Sequence, residues 1–125
     1  MIEVAYDGRE RCVVWVRCSS GAYLGRDYFQ GLLGSERARF QVLFERLGDF
    51  GRIVDAGKYR NENDGLWCLK TISGHRLVTF QEGRLIGITH GFFKRADRFS
   101  PEDRRRALLI RADYLAYINA SGETR

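Results

Sequence analysis

The sequence predicts an α+β domain: an N-terminal strand, one or two helices, an antiparallel three-strand meander and a C-terminal helix. Three β-prone runs, 65–72, 75–81 and 84–90, are separated only by Ser73-Gly74 and Glu82-Gly83. Turns that short join antiparallel neighbours, because parallel strands need a crossover. Two further segments repeat apolar residues at helical spacing: Phe40, Leu43, Phe44 and Leu47, then Ala107, Ile110, Tyr114 and Ile118. With 125 residues, 44% hydrophobic and 13% aromatic, the chain has the size and composition of one domain with a packed core.

Taken in order, residues 2–6 and 12–17 are short β-prone runs, and Asp7-Gly8 between them is a hairpin signal. Arg9 to Arg11 leave the register of that hairpin open. Residues 19–34 are punctuated by glycine, with a short helix expected over 27–33. Ser35 is a suitable N-cap for a helix over 36–47, and Gly48 a suitable left-handed residue to end it. A polar loop over 49–64 leads into the meander. Ser100 precedes Pro101 and stands three residues before Asp103, a partial capping box for a helix over 101–118. The helices are expected to cover one face of the sheet and leave the other partly open.

The longest apolar runs fall far short of 18 residues, so no membrane-spanning helix is expected. The first eight residues carry two acids and no basic stretch, unlike a secretory leader. Cys12, Cys18 and Cys68 are odd in number and include no C-x-x-C pair, which fits reduced thiols in a cytoplasmic protein. The net charge of +5 is uneven: residues 1–51 hold 7 basic and 7 acidic residues, whereas 52–125 hold 14 and 9. An excess confined to one half fits a surface that faces a polyanion, the alternative being a solvated charged face.

Residues 65–70 (Gly-Leu-Trp-Cys-Leu-Lys), 74–78 (Gly-His-Arg-Leu-Val) and 90–95 (His-Gly-Phe-Phe-Lys-Arg) come in an order that resembles the RelE/ParE superfamily of toxins. Ser100-Pro101-Glu102, Ala107 and Asp113-Tyr114 continue it, and the similarity is greatest to the HigB-like, phage-derived branch. It covers roughly residues 11–118 of a single domain, with 1–10 as an N-terminal extension. The resemblance implies the toxin of a type II toxin–antitoxin system, a ribosome-dependent mRNA endoribonuclease that inhibits translation and arrests growth. It also implies three partners: mRNA, the ribosome and a cognate antitoxin of the helix-turn-helix, HigA-like kind. A ParE-like inhibitor of DNA gyrase, acting by binding alone, and a non-catalytic phage-encoded regulator are the alternatives.

Cleavage of that kind needs a proton acceptor, a proton donor and cations for the charge on phosphorus, without a metal or other cofactor. On the resemblance, Arg76 binds the scissile phosphate. Lys94 and Arg95 stabilise developing charge or protonate the leaving oxygen, and His90 is an acid or base candidate, the alternative being a structural histidine. Lys58, Arg60 and Lys70 are expected RNA contacts, with Arg84, Arg98 and Arg104 as further phosphate contacts. RelE places lysines where this chain has Leu66 and Cys68, and a tyrosine near Arg104, so the general acid and base stay open.

Overall fold

The computed structural model describes residues 1–94 and 98–121. The elements run β1 (Ile2–Asp7), β2 (Cys12–Val16), α1 (Leu24–Gln30), α2 (Gly34–Phe50), β3 (Tyr59–Asn61), β4 (Leu66–Lys70), β5 (His75–Glu82), β6 (Leu85–Phe93) and α3 (Pro101–Ser121). They form an α+β structure with one six-stranded sheet in the order β1-β2-β6-β5-β4-β3. The meander β4-β5-β6 is antiparallel as expected, and the short strand β3 lengthens it at one edge. The expected N-terminal hairpin is present as β1-β2: Asp7 pairs with Cys12, and residues 8–11 make the turn. β2 lies parallel to β6, so the sheet is mixed.

Alternation along the strands divides the apolar residues between two cores. Val13, Trp15, Leu69, Leu77, Ile86 and Ile88 pack with Phe29 of α1 and with Phe40, Leu43, Phe44 and Leu47 of α2. Val14, Val16, Leu66, Cys68, Val78 and Phe80 pack with Ala107, Ile110, Tyr114 and Ile118 of α3. Both helical stripes are therefore buried where the spacing placed them. The expectation of one partly open face is corrected: strands such as β2 (Cys-Val-Val-Trp-Val) and β4 (Leu-Trp-Cys-Leu-Lys) are apolar on both sides and need cover on both, and α3 supplies the second layer.

The helix ends carry two further corrections. α2 takes Leu33, not Ser35, as its N-cap residue, and it runs past Gly48 to stop at Gly51, whose φ is 79°. Gly48 instead receives the hairpin. Its carbonyl accepts the N–H groups of Glu10 and Arg11, both at 2.8 Å. A Cβ on Gly8 would stand 2.1 Å from the Gly48 carbonyl carbon, and one on Gly48 would stand 2.6 Å from the Tyr6 ring. α1 lies about one turn earlier than expected. α3 begins as expected: Ser100 Oγ accepts the Asp103 N–H at 3.0 Å and donates to its carboxylate at 2.8 Å.

One irregularity decides where the meander's last strand aims its side chains. Val78 opposes His90 but Thr79 opposes Ile88, so Thr89 is an extra residue in β6. Strict alternation would put His90 and Phe92 on the face of Ile86 and Ile88, beneath α1 and α2. The bulge turns them to the α3 side, where Phe92 packs on that core and His90 meets Asp103. Among the described residues, no helix is long and apolar enough to cross a membrane.

Candidate functional site

The register sets Lys70 of β4 opposite Arg76 of β5, and Arg76 opposite Phe92 of β6. These are the next positions, at alternate spacing, after Cys68 and Val78 on the α3 side. The rows that build the core thus continue as cations where the loop leading to α3 passes. Arg60 of β3, opposite Cys68, extends the group to the sheet edge. Together they line a shallow, open cleft with Lys94 and Arg98, over a floor of Cys68, Phe92 and Phe99; among the described residues Glu62 is the acid in its wall.

The cleft is electrostatically lopsided. None of Arg60, Lys70 and Arg76 has an acid within salt-bridge distance among the described residues. Burial lowers the pKa of Lys70, and the charges of Arg76, Arg60 and Lys94 lower it further, against Glu62. Arg76 is likewise lowered by burial. Its guanidinium is aimed by the backbone, donating from one nitrogen to the carbonyls of Thr71 at 3.2 Å and His75 at 3.1 Å. Burial pushes the Cys68 thiol up to about 12, so the floor adds no negative charge near neutral pH. Arg60, Lys70 and Arg76, held close together, repel one another, and an anion in the cleft relieves that repulsion.

The cleft brings together Arg60, Lys70, Arg76, Lys94 and Arg98 of the expected residues, and leaves others outside it. Arg95 lies outside the described residues. His90 is 1% exposed and sits behind the wall. Its Nε2 stands 2.9 Å from Asp103 Oδ1 and its Nδ1 3.1 Å from Thr89 Oγ1, tying β6 to the first turn of α3. Burial holds its pKa below the usual histidine value, against the pull of Asp103. Arg104 is at the rim, paired with Asp64 at 2.8 Å and lying 5.1 Å from the centre of the Phe99 ring. Arg84 is at the opposite end of the sheet, 3.3 Å from the Asp7 carboxylate. Lys58 lines a separate groove, which it shares with Lys70. Glu62 and Phe99 were not singled out from the sequence. Only the turn that places β3 and the loop before α3 bring them to the cleft.

No protein-family model and no curated protein matches the chain.

Proposed function

We propose that the chain is a RelE/ParE-type toxin close to the HigB-like branch, a metal-independent endoribonuclease that cuts mRNA in this cleft. The observation that carries the reading is the convergence of Arg60, Lys70, Arg76, Lys94 and Arg98 on one small concavity, where Glu62 is the acid among the described residues that line it. In the proposed reaction the ribose 2′-hydroxyl gives its proton to water in the open cleft, its oxygen attacks the adjacent phosphorus and the bond to the 5′-oxygen breaks. A 2′,3′-cyclic phosphate and a 5′-hydroxyl are left. Arg76, aimed by two carbonyls, binds two non-bridging oxygens through its planar fork. Arg60, Lys94 and Arg98 offset the charge that builds on them. Lys70, whose ammonium the cluster makes more acidic, gives its proton to the departing 5′-oxygen. His90, enclosed and committed to Asp103, holds the cleft wall in this scheme. The ribosome and a neutralising antitoxin are the partners this reading entails.

Arg76 is the residue to test. Arg76→Ala is expected to lower cleavage by 10²–10³, about 3–4 kcal/mol of transition-state stabilisation, and Arg76→Lys to restore part of it. Induction in cells followed by mapping of new mRNA 5′ ends reads the effect, with thermal melting as the control for folding. A folded Arg76→Ala that cuts at the wild-type rate removes Arg76 from the reaction. Growth arrest by the native chain with altered DNA supercoiling and no new 5′ ends replaces the nuclease with a gyrase inhibitor.

A further inference from the structure

Arg76 is held from the far side of the sheet as well as from the cleft. One guanidinium nitrogen, Nη1, donates to the carbonyls of Thr71 and His75; Nε and Nη2 make no bond among the described residues and remain for an anion. The side chains of those same two carbonyl residues alternate with Lys70 and Arg76 and so fall on the opposite face, toward α1 and α2. There His75 Nδ1 stands 2.6 Å from the Tyr28 hydroxyl of α1. Tyr28 reaches it by crossing Gly91, where a Cβ would stand 2.4 Å from the ring. Thr71 and Ser73 bring their hydroxyls, 3.2 Å apart, beside the carboxylate of Glu36 in α2 and draw its pKa below the usual value. Glu36 is 7% exposed. Its Oε2 pairs with Arg39 at 2.9 Å, while its Oε1 is enclosed and bonded to no group in full hydrogen-bond geometry. An acid in the first turn of a helix is favoured on any side of it. Only a buried one gives up its hydration, so its seat against the β4–β5 turn calls for another reason.

We infer that Glu36 and Tyr28 are positioning residues for the cleft: they fix the turn at Thr71–Ser73 and at His75, and the carbonyls of Thr71 and His75 then aim Arg76. Neither side chain touches the cleft, and both act through the main chain between them and the guanidinium. The same turn seats a second cation of the cleft, because the Gly74 carbonyl accepts the Lys94 N–H at 2.8 Å. Its own closure uses the same groups: Gly74 N–H donates to the Thr71 carbonyl and Thr71 N–H to that of His75, both at 3.1 Å. A side chain that shifts Thr71 or His75 therefore moves the acceptors of Arg76 with it. A guanidinium whose acceptors are fixed loses little freedom when an anion arrives, which is where the gain in binding comes from. The aiming of Arg76 stands by itself; only its consequence for RNA rests on the function proposed above.

Two measurements on the full chain test this, with Glu36→Gln and Tyr28→Phe as the variants. The first is a nitrogen-15 spectrum of arginine-labelled protein, in which the Arg76 signals are assigned by their loss in Arg76→Ala. Separate, slowly exchanging Nη signals are expected in the native chain, and merged ones in both variants. The second is the affinity for a labelled ten-residue oligouridylate, read by anisotropy well below each melting temperature. Each variant should bind about tenfold more weakly, and neither should weaken Arg76→Ala any further, because the aiming has then lost its object. That lack of additivity separates positioning from a merely structural role. Tyr28→Phe removes one oxygen and no packing, so it carries the test alone if Glu36→Gln does not fold. The proposal is overturned if the native Arg76 signals are already merged, or if they stay separate in the variants. It is also overturned if the loss in affinity adds in full to that of Arg76→Ala. A native chain that binds no oligouridylate, with Arg76 signals that merge in the variants, upholds the positioning and overturns the nuclease.

Discussion

His90 is 1% exposed, and the two polar atoms of its ring are both engaged, by Asp103 and by Thr89. Burial lowers its pKa in the folded chain below the ordinary 6.5 that the unfolded chain has. Between those two values the unfolded chain binds more protons, so stability rises with pH there. The contribution of His90 is therefore fully present above about 6.5 and is lost as pH falls through the folded value. Glu36 has the same sign in a lower window. The neighbouring hydroxyls of Ser73 and Thr71, with the Arg39 guanidinium, hold its carboxyl below the usual 4.5, so its contribution is lost only under more acid conditions. The melting temperature is expected to fall between pH 7 and pH 5. In His90→Gln it should be lower at neutral pH, because about 1–3 kcal/mol of bonding and packing is lost, but nearly flat across that interval. An unchanged slope in His90→Gln would assign the pH dependence to another group.

The hairpin docks on α2 through two glycines, a contact the sequence hides. Gly8→Ala is expected to destabilise the protein by about 1–3 kcal/mol, because its Cβ meets main-chain atoms that cannot rotate away. Gly51→Ala should cost about 1 kcal/mol, the penalty of a left-handed residue at a helix end. Urea unfolding ranks the two. A Gly8→Ala chain as stable as the native one would mean that the hairpin is not seated on Gly48. The elements themselves were legible wherever the signal is local. Two-residue turns marked the meander, helical spacing marked both stripes, and Ser100 marked the start of α3. What stayed hidden depends on residues far apart in the chain. Gly48 looks like a helix end until Gly8, forty residues earlier, takes up the space beside it. The three residues of β3 form a strand only because β4 pairs with them. Neither the parallel contact of β2 with β6 nor the extra residue at Thr89 leaves a mark in composition. The bulge brings Phe92 to the face on which alternation already sets Arg76 and Lys70, whereas Phe99 and Glu62 reach the cleft from loops that no local signal marks.

At the scale of the whole molecule, the excess of basic residues after position 51 is only partly gathered in the cleft. Arg84 and Arg104 are drawn into pairs with Asp7 and Asp64, whereas Arg60, Lys70 and Arg76 face the cleft without such partners among the described residues. A single-stranded polyanion held by three to five of the cleft cations releases about that many counterions in proportion. The logarithm of its affinity should then fall with the logarithm of salt at a slope of about −2 to −3.5. Raising monovalent salt from roughly 50 to 200 mM should weaken oligoribonucleotide binding by about 20- to 100-fold. The distribution of that slope over residues is the decisive part. Arg60→Ala and Arg76→Ala should each make it shallower by about 0.7, the contribution of one phosphate contact to a single strand. Arg84→Ala should leave it unchanged, because Arg84 already neutralises Asp7 at the other end of the sheet. Fluorescence anisotropy across a salt series measures all four chains under the same conditions. If Arg84→Ala flattens the slope as much as Arg60→Ala does, the polyanion is held by the general basicity of the chain and the cleft has no special claim on it.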